Sequence, residues 1–326
     1  MSQVKTHPTF EFVRQHRVPS LNIEVQEYRH KGTGAVHYHL AAEDDQNAFL
    51  VAFRTVPQDS TGVAHILEHT SLCGSKKYPV RDPFFMMTRR SLNTFMNAFT
   101  AADWTAYPFA SRNRKDFDNL LDVYLDAVFY PTLDELDFLQ EGHRVEFAEP
   151  NNPDSPLVFK GVVFNEMKGA MSSPTSALYQ ALTRELFPTT TYHHNSGGDP
   201  ACIPDLTYDQ LKAFHATHYH PSNAVFMTYG DIGAAEHQAR FEAGALGRFQ
   251  KLDMHIGVPD EQRYSTPVQV DDRYALDGEE DTAEKTHIVL GWLTERSIDA
   301  EAVMRAHLLS GVLLDNGASP LRRALE

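Results

Sequence analysis

The sequence predicts an α+β fold in which antiparallel sheets pack against helices. Three observations carry this expectation. Short extended runs bounded by turn residues fill much of the first 55 residues. Long stretches with apolar residues at helical spacing follow. Strand and helix patterns then mix without the strict βαβ order that a doubly wound sheet requires.

The extended runs lie at residues 23–28, 34–40 and 48–55, and Lys31-Gly32-Thr33-Gly34 supplies one of the turns between them. Asp59-Ser60 offers an N-cap for a helix over 61–72, and Gly74 offers a stop. In 93–110 two extended runs are expected. Phe95, Asn97 and Phe99 alternate with Met96, Ala98 and Thr100, and 104–109 forms the return. Residues 116–130 form an amphipathic helix, because Phe117, Leu120, Leu121, Tyr124, Leu125 and Val128 recur at spacings of three and four. Further helices are expected over 133–145, 157–170, 175–187 and 207–218, the last capped by Thr207, before a strand at 224–229.

Residues 256–281 are polar, proline-containing and rich in acidic groups, the composition of a linker. A strand at 286–293 and a helix at 299–314 follow, and 321–326 begins another helix. The expected organisation is therefore a first α+β domain over 1–260, a linker over 261–282, and the truncated start of a second related domain over 283–326.

Composition narrows the function classes. With 29 basic and 44 acidic residues the net charge is −15, the opposite of the basic footprint that nucleic-acid binding leaves. The longest apolar runs fall far short of the roughly 20 residues needed to cross a bilayer. Two cysteines in 326 residues are no disulfide framework, and a reducing compartment suits them. The segment beginning Met1-Ser2-Gln3-Val4 has no apolar leader core. The expectation is a soluble cytoplasmic protein, with an organelle matrix as the alternative should a leader have been removed.

The chemistry centres on His65-Ile66-Leu67-Glu68-His69. On a helix, positions four apart lie about 40° apart, so His65 and His69 point the same way. Glu68 falls about 60° to the other side of His65. Val63, Ile66 and Leu67 occupy the opposite face and can enter the core. Two imidazoles one turn apart suit Zn2+, and a neighbouring carboxylate suits a general base. H-x-x-E-H is the inverted form of the zincin motif, and it also occurs by chance on solvated helices.

A third ligand separates the two readings. On a wheel drawn over 157–170, Phe159, Val162, Val163, Met167 and Ala170 form an apolar stripe with Glu166 at its centre. A carboxylate on a buried stripe is costly unless paired, hydrogen-bonded or bound to metal. Glu141, Glu146 and Glu149 compete for the role but lie in ordinary polar contexts. Two histidines and one glutamate would leave a fourth position open for water, the pattern of catalytic rather than structural zinc. Among other clusters, His193-His194 and His215/His218/His220 are read as packing or capping groups. Trp104 and Tyr107 are equally compatible with a peptide groove and with the core. Gly197-Gly198 lacks the flanking residues of a phosphate loop.

These residues carry a family resemblance. The run from His65 through Cys73-Gly74-Ser75 resembles the zinc helix of the presequence protease branch of the pitrilysin/insulinase family of inverted-motif zinc metallopeptidases. So do Tyr78-Pro79, Arg81-Asp82-Pro83-Phe84-Phe85, Phe95-Met96-Asn97-Ala98-Phe99-Thr100, residues 159–169 and residues 215–223. The resemblance implies His65, His69 and Glu166 as zinc ligands and Glu68 as general base. It implies that Asn97, Ala98 and Phe99 lie on an edge strand that pairs with a peptide substrate, in keeping with strand addition at an open sheet edge. It implies a pitrilysin/processing-peptidase-like metallohydrolase fold whose two homologous halves enclose unstructured peptides. The family takes an Arg and a Tyr from the second half, which this chain lacks, so weak or no activity is expected of the chain alone. A noncatalytic peptide-binding module of the same fold is the alternative. A small-molecule zinc hydrolase or lyase with the inverted motif is a third, disfavoured because neither cysteine fits the role that Glu166 fits.

Overall fold

Eight strands form the main sheet, in the order β1-β2-β3-β10-β4-β7-β5 with β6 also paired to β7. The computed structural model describes residues 5–276, 278 and 281–326. The strands are β1 (Phe10–Val18), β2 (Ile23–His30), β3 (Val36–Ala41), β4 (Asn47–Arg54), β5 (Asn93–Met96), β6 (Phe99–Thr100), β7 (Trp104–Ser111) and β10 (Ala224–Gly230). A separate hairpin pairs β8 (Arg144–Phe147) with β9 (Leu157–Lys160). All pairings are antiparallel except β3 with β10, whose parallel register sets Val36 beside Val225.

The remaining regular elements are mostly helices. They are α1 (Val63–Ser71), α2 (Pro83–Arg90), α3 (Arg114–Phe129), α4 (Glu135–Glu141), α5 (Val162–Ala170), α6 (Pro174–Leu186), α7 (Tyr208–His218) and α8 (Ala234–Gly244), followed later by α9 (Ala300–Leu314) and α10 (Pro320–Leu325). The core lies between the sheet and α3, α1 and α8. Phe49, Val51 and Phe53 of β4 and Tyr107 and Phe109 of β7 meet Phe117, Leu120, Leu121, Tyr124, Leu125 and Val128, the full set read from the α3 periodicity. Asn113 caps α3 by accepting from the Asp116 backbone N–H at 3.0 Å. Thr207 and Gln210 close a capping box on α7.

Several expectations are corrected. The first strand, β1, escapes the sequence pattern because it is an edge strand whose residues after Phe10 are mostly exposed, so no alternation marks it. The expected helix over 157–170 is a strand followed by a helix. Gly161 forms the junction: a Cβ there would lie 1.9 Å from the Gly142 carbonyl oxygen, so only glycine allows β9 to turn into α5 at this point. The helix expected over 133–145 is only α4, and Arg144 onward enters the hairpin. Asp59 does not cap α1. Its carboxylate accepts from the backbone and hydroxyl of Thr61, and the N-cap is Gly62 in the left-handed region. No strand forms at 286–293, and Ile288, Leu290 and Trp292 are exposed. A strand needs a ladder partner, and none is present there among the described residues.

Candidate metal centre

Helix α1 packs against α4, α7 and β6, burying Val63, Ile66 and Leu67. That burial turns the His65–Glu68–His69 face outward toward α5. The Nε2 atoms of His65 and His69 lie 3.7 and 3.9 Å from Glu166 Oε2. One ligand atom from each of the three residues falls within 4.8 Å of the others, and no other such His/Cys/Asp/Glu group occurs among the described residues.

This donor set fits zinc. A tetrahedral ion with bonds of about 2.0–2.1 Å holds its ligand atoms roughly 3.4 Å apart, close to the separations found. The remote ring nitrogens are also occupied. His65 Nδ1 donates to the Gly197 carbonyl at 2.9 Å, and His69 Nδ1 donates to Glu141 Oε2 at 3.0 Å. With the proton held on Nδ1, each Nε2 presents a lone pair toward the site, the arrangement that metal-ligating histidines use.

The Gly197 contact explains a glycine pair that carried no functional reading in the sequence. Gly62 has φ +73°, and a Cβ on it would lie 2.8 Å from Gly198 Cα and 2.9 Å from the Gly197 oxygen. The chain before α1 and the 197–198 loop therefore touch backbone to backbone, and that contact sets the Gly197 carbonyl beneath His65. Glu141 is not the ordinary polar residue that its sequence context suggests. It is 8% exposed and belongs to the His69 ring. Nothing local could reveal this, because its partner lies 72 residues earlier.

Electrostatics bind the cluster together. Burial alone would lower the His69 pKa, but the Glu141 hydrogen bond and the charges of Glu68, Glu141 and Glu166 outweigh it, and the pKa is raised. Burial would raise the Glu141 pKa, yet its bonds to His69 and Gln140 bring it below the ordinary carboxylate value. Glu68 is 8% exposed, and burial holds its pKa up against the Thr100 hydrogen bond and the two histidines.

Glu166 meets the histidines by a different route from the one its sequence suggested. Its side chain is 53% exposed, not buried. Of the expected stripe only Val163 is buried, Val162 and Ala170 are exposed, and Phe159 belongs to β9. Asn97, Ala98 and Phe99 lie at the sheet edge formed by β5 and β6. The backbone N–H of Asn97 donates to the Pro108 carbonyl. Phe95, Asn97 and Phe99 are exposed, while Met96, Ala98 and Thr100 are half-buried, as the alternation required. Tyr107 is core and Trp104 is exposed. Cys73 is buried, and burial pushes its thiol pKa well up, which keeps it an inert thiol. His193, His215 and His218 each bond a backbone carbonyl, of Arg184, Val128 and Phe214.

Comparison with known proteins agrees with the fold. The insulinase profile, peptidase family M16, matches residues 54–174, and the profile for the peptidase M16 inactive domain matches residues 205–326. The chain is 50% identical over 313 residues to the mitochondrial presequence protease of Xenopus tropicalis, covering 94% of this chain and 30% of that protein. It is 50% identical over 309 residues to the Mus musculus presequence protease and 43% identical over 324 residues to that of Yarrowia lipolytica, covering 30% and 32% of them. The fold is similar to that of pitrilysin (TM-score 0.59, 20% identity, 78% of this chain and 26% of that one). It is also similar to a protease from Helicobacter pylori (TM-score 0.57, 19% identity, 79% of this chain and 55% of that one). The chain belongs to the insulinase family of peptidases, M16, and within it to the presequence protease branch. It spans about a third of the length of the curated relatives it matches.

Proposed function

We propose that this chain is the zinc-holding part of a longer metalloendopeptidase that hydrolyses unstructured peptides. The observation that carries the reading is the convergence of His65, His69 and Glu166, with both Nδ1 atoms engaged from behind. In this reading the three residues hold Zn2+ through two Nε2 atoms and the Glu166 carboxylate. The ion, when bound, supplies Lewis-acid polarisation of a scissile carbonyl and lowers the pKa of an attacking water. Glu68 accepts the proton of that water on its carboxylate and returns it to the leaving amine nitrogen. The backbone of Asn97, Ala98 and Phe99 aligns the peptide as an added strand.

The same reading assigns residues 1–260 to the metal-holding unit, 261–282 to a linker and 283–326 to the start of a second unit. The lack of helix and strand among the described residues between Phe249 and Asp299 supports it, as do the exposed Leu308, Leu309 and Val312 of α9. The relatives' names place those proteins in mitochondria. The free thiols of Cys73 and Cys202 suit a reducing matrix as well as cytoplasm.

The test is metal content. Wild type should hold one equivalent of zinc through dialysis, and Glu166→Gln should lose it. Stoichiometric zinc in the variant would remove Glu166 from the ligand set. Residues 1–326 alone should hydrolyse unstructured peptides weakly or not at all. Turnover matching that of full-length relatives would contradict the need for further chain.

A further inference from the structure

Behind Glu68 lies a cluster of hydroxyls that runs from half-buried Thr100 into the core. Thr100 Oγ1 donates to Glu68 Oε2 at 2.5 Å, and it is the only hydrogen-bond partner of that carboxylate among the described residues. Thr100 stands opposite Thr105 across the β6–β7 pair, and their hydroxyl oxygens are 3.4 Å apart. Thr105 in turn meets Thr55 Oγ1 at 2.8 Å. Thr55 and Thr105 are wholly buried, and the Tyr107 and Tyr219 phenols pair at 2.7 Å beside them.

We propose that Thr100 is a positioning residue for Glu68, fixing one carboxylate oxygen through a donated hydrogen bond so that the other remains free for proton transfer. The inference rests on the peptidase reading above. A carboxylate only accepts, so the single proton of the Thr100 hydroxyl is committed to Oε2. The Thr100 oxygen keeps lone pairs that face Thr105, and the Thr105–Thr55 pair holds that side of the network in the core. Without this donor, a buried carboxylate on a short helix has several rotamers and no reason to keep the productive one. The neighbouring residue matters too. Phe99, the other member of β6, is exposed at the sheet edge, so one two-residue strand reaches the edge with its backbone and the base with its next side chain.

Thr100→Val keeps the β-branched shape and removes the hydroxyl, both the donor to Glu68 and the oxygen that faces Thr105. Thr100→Ser restores the donor. Both are to be made in the longer polypeptide, with zinc content, kcat and KM measured on an unstructured peptide. Thr100→Val should lower kcat about 10- to 100-fold, the effect of losing a hydrogen bond to a charged group, with KM and zinc content nearly unchanged. Thr100→Ser should return kcat to within about 3-fold of wild type. A role in folding alone would not produce a kcat-only loss that serine rescues. A Thr100→Val enzyme with wild-type kcat overturns the proposal. So does a crystal structure of that variant in which the Glu68 carboxylate has not moved, a result independent of turnover. Should wild type bind zinc yet cleave no peptide, the peptidase reading falls, and the Glu68 position in the variant still decides the role of Thr100.

Discussion

Replacing Glu141 by Gln would measure how much of the metal affinity is set behind the ligands. The His69–Glu141 bond is 3.0 Å long, and Glu141 is buried, so solvent screens the pair little. Glutamine keeps an acceptor oxygen at the same place and loses only the charge. A hydrogen bond to a charged group contributes roughly 1.5–3 kcal/mol, against about 0.5–1.5 kcal/mol for a neutral one. The difference, about 1–1.5 kcal/mol, is a factor of about 5–15 in zinc dissociation constant. Glu141→Ala removes the acceptor altogether and should approach the upper end of the ~10–100-fold range seen for such partners. Competition against a fluorescent zinc chelator gives both constants, and far-ultraviolet circular dichroism checks that the variants are folded. A Glu141→Gln protein whose zinc affinity stays within about 2-fold of wild type would refute the reasoning.

Two further outcomes follow, one at the Gly62 approach to the 197–198 loop and one in the main sheet. Gly62→Ala places a Cβ against the Gly197–Gly198 backbone at a left-handed φ, and should cost about 2–4 kcal/mol in urea unfolding. It should weaken zinc binding as the Gly197 carbonyl leaves His65, whereas Gly169→Ala, which meets nothing within 4 Å, should be neutral or stabilising. His39 is buried against Thr228, and burial brings its pKa down to about 4. Its folded pKa lies below the unfolded value of about 6.5, so the stability from keeping it neutral is complete above that pH and is lost as pH falls toward 4. The loss is about 3 kcal/mol, and buried His37 and His237 shift in the same direction. His39→Gln should therefore unfold at a lower pH than wild type in an acid titration, and an unchanged midpoint would contradict the assignment.

The parts of the fold that the sequence displays are those whose burial follows a local period. Helix α3 shows its buried face at every third or fourth residue, and α1 shows a dry side and a chemical side within five residues. Strand β1 shows nothing, since an edge strand facing solvent has no period to display. Residues 157–170 satisfy a helical period by accident, and the real boundary is set by a long-range approach between Gly161 and Gly142. The same limit applies at the candidate site. His65, Glu68 and His69 are legible because one helix turn carries them. Glu166 sits on an apolar stripe in the sequence, but its side chain is exposed, so its convergence with the histidines comes from the packing of α5 and not from burial. Gly197, Glu141 and Thr100 act on the site through tertiary contacts 132, 72 and 32 residues away, a distance at which no pattern in the chain survives.

The sheet edge at β5 and β6 has a consequence for solubility. An open sheet edge can template a second copy of its own chain, and exposed Phe95 and Phe99 would favour that pairing. The edge is interrupted: four residues of β5 and two of β6 flank Asn97 and Ala98, and the Asn97 side chain accepts from the Ala98 backbone N–H. A break of this kind shortens the run of free backbone groups on which sheets could pair edge to edge. Restoring a continuous strand here would favour aggregation.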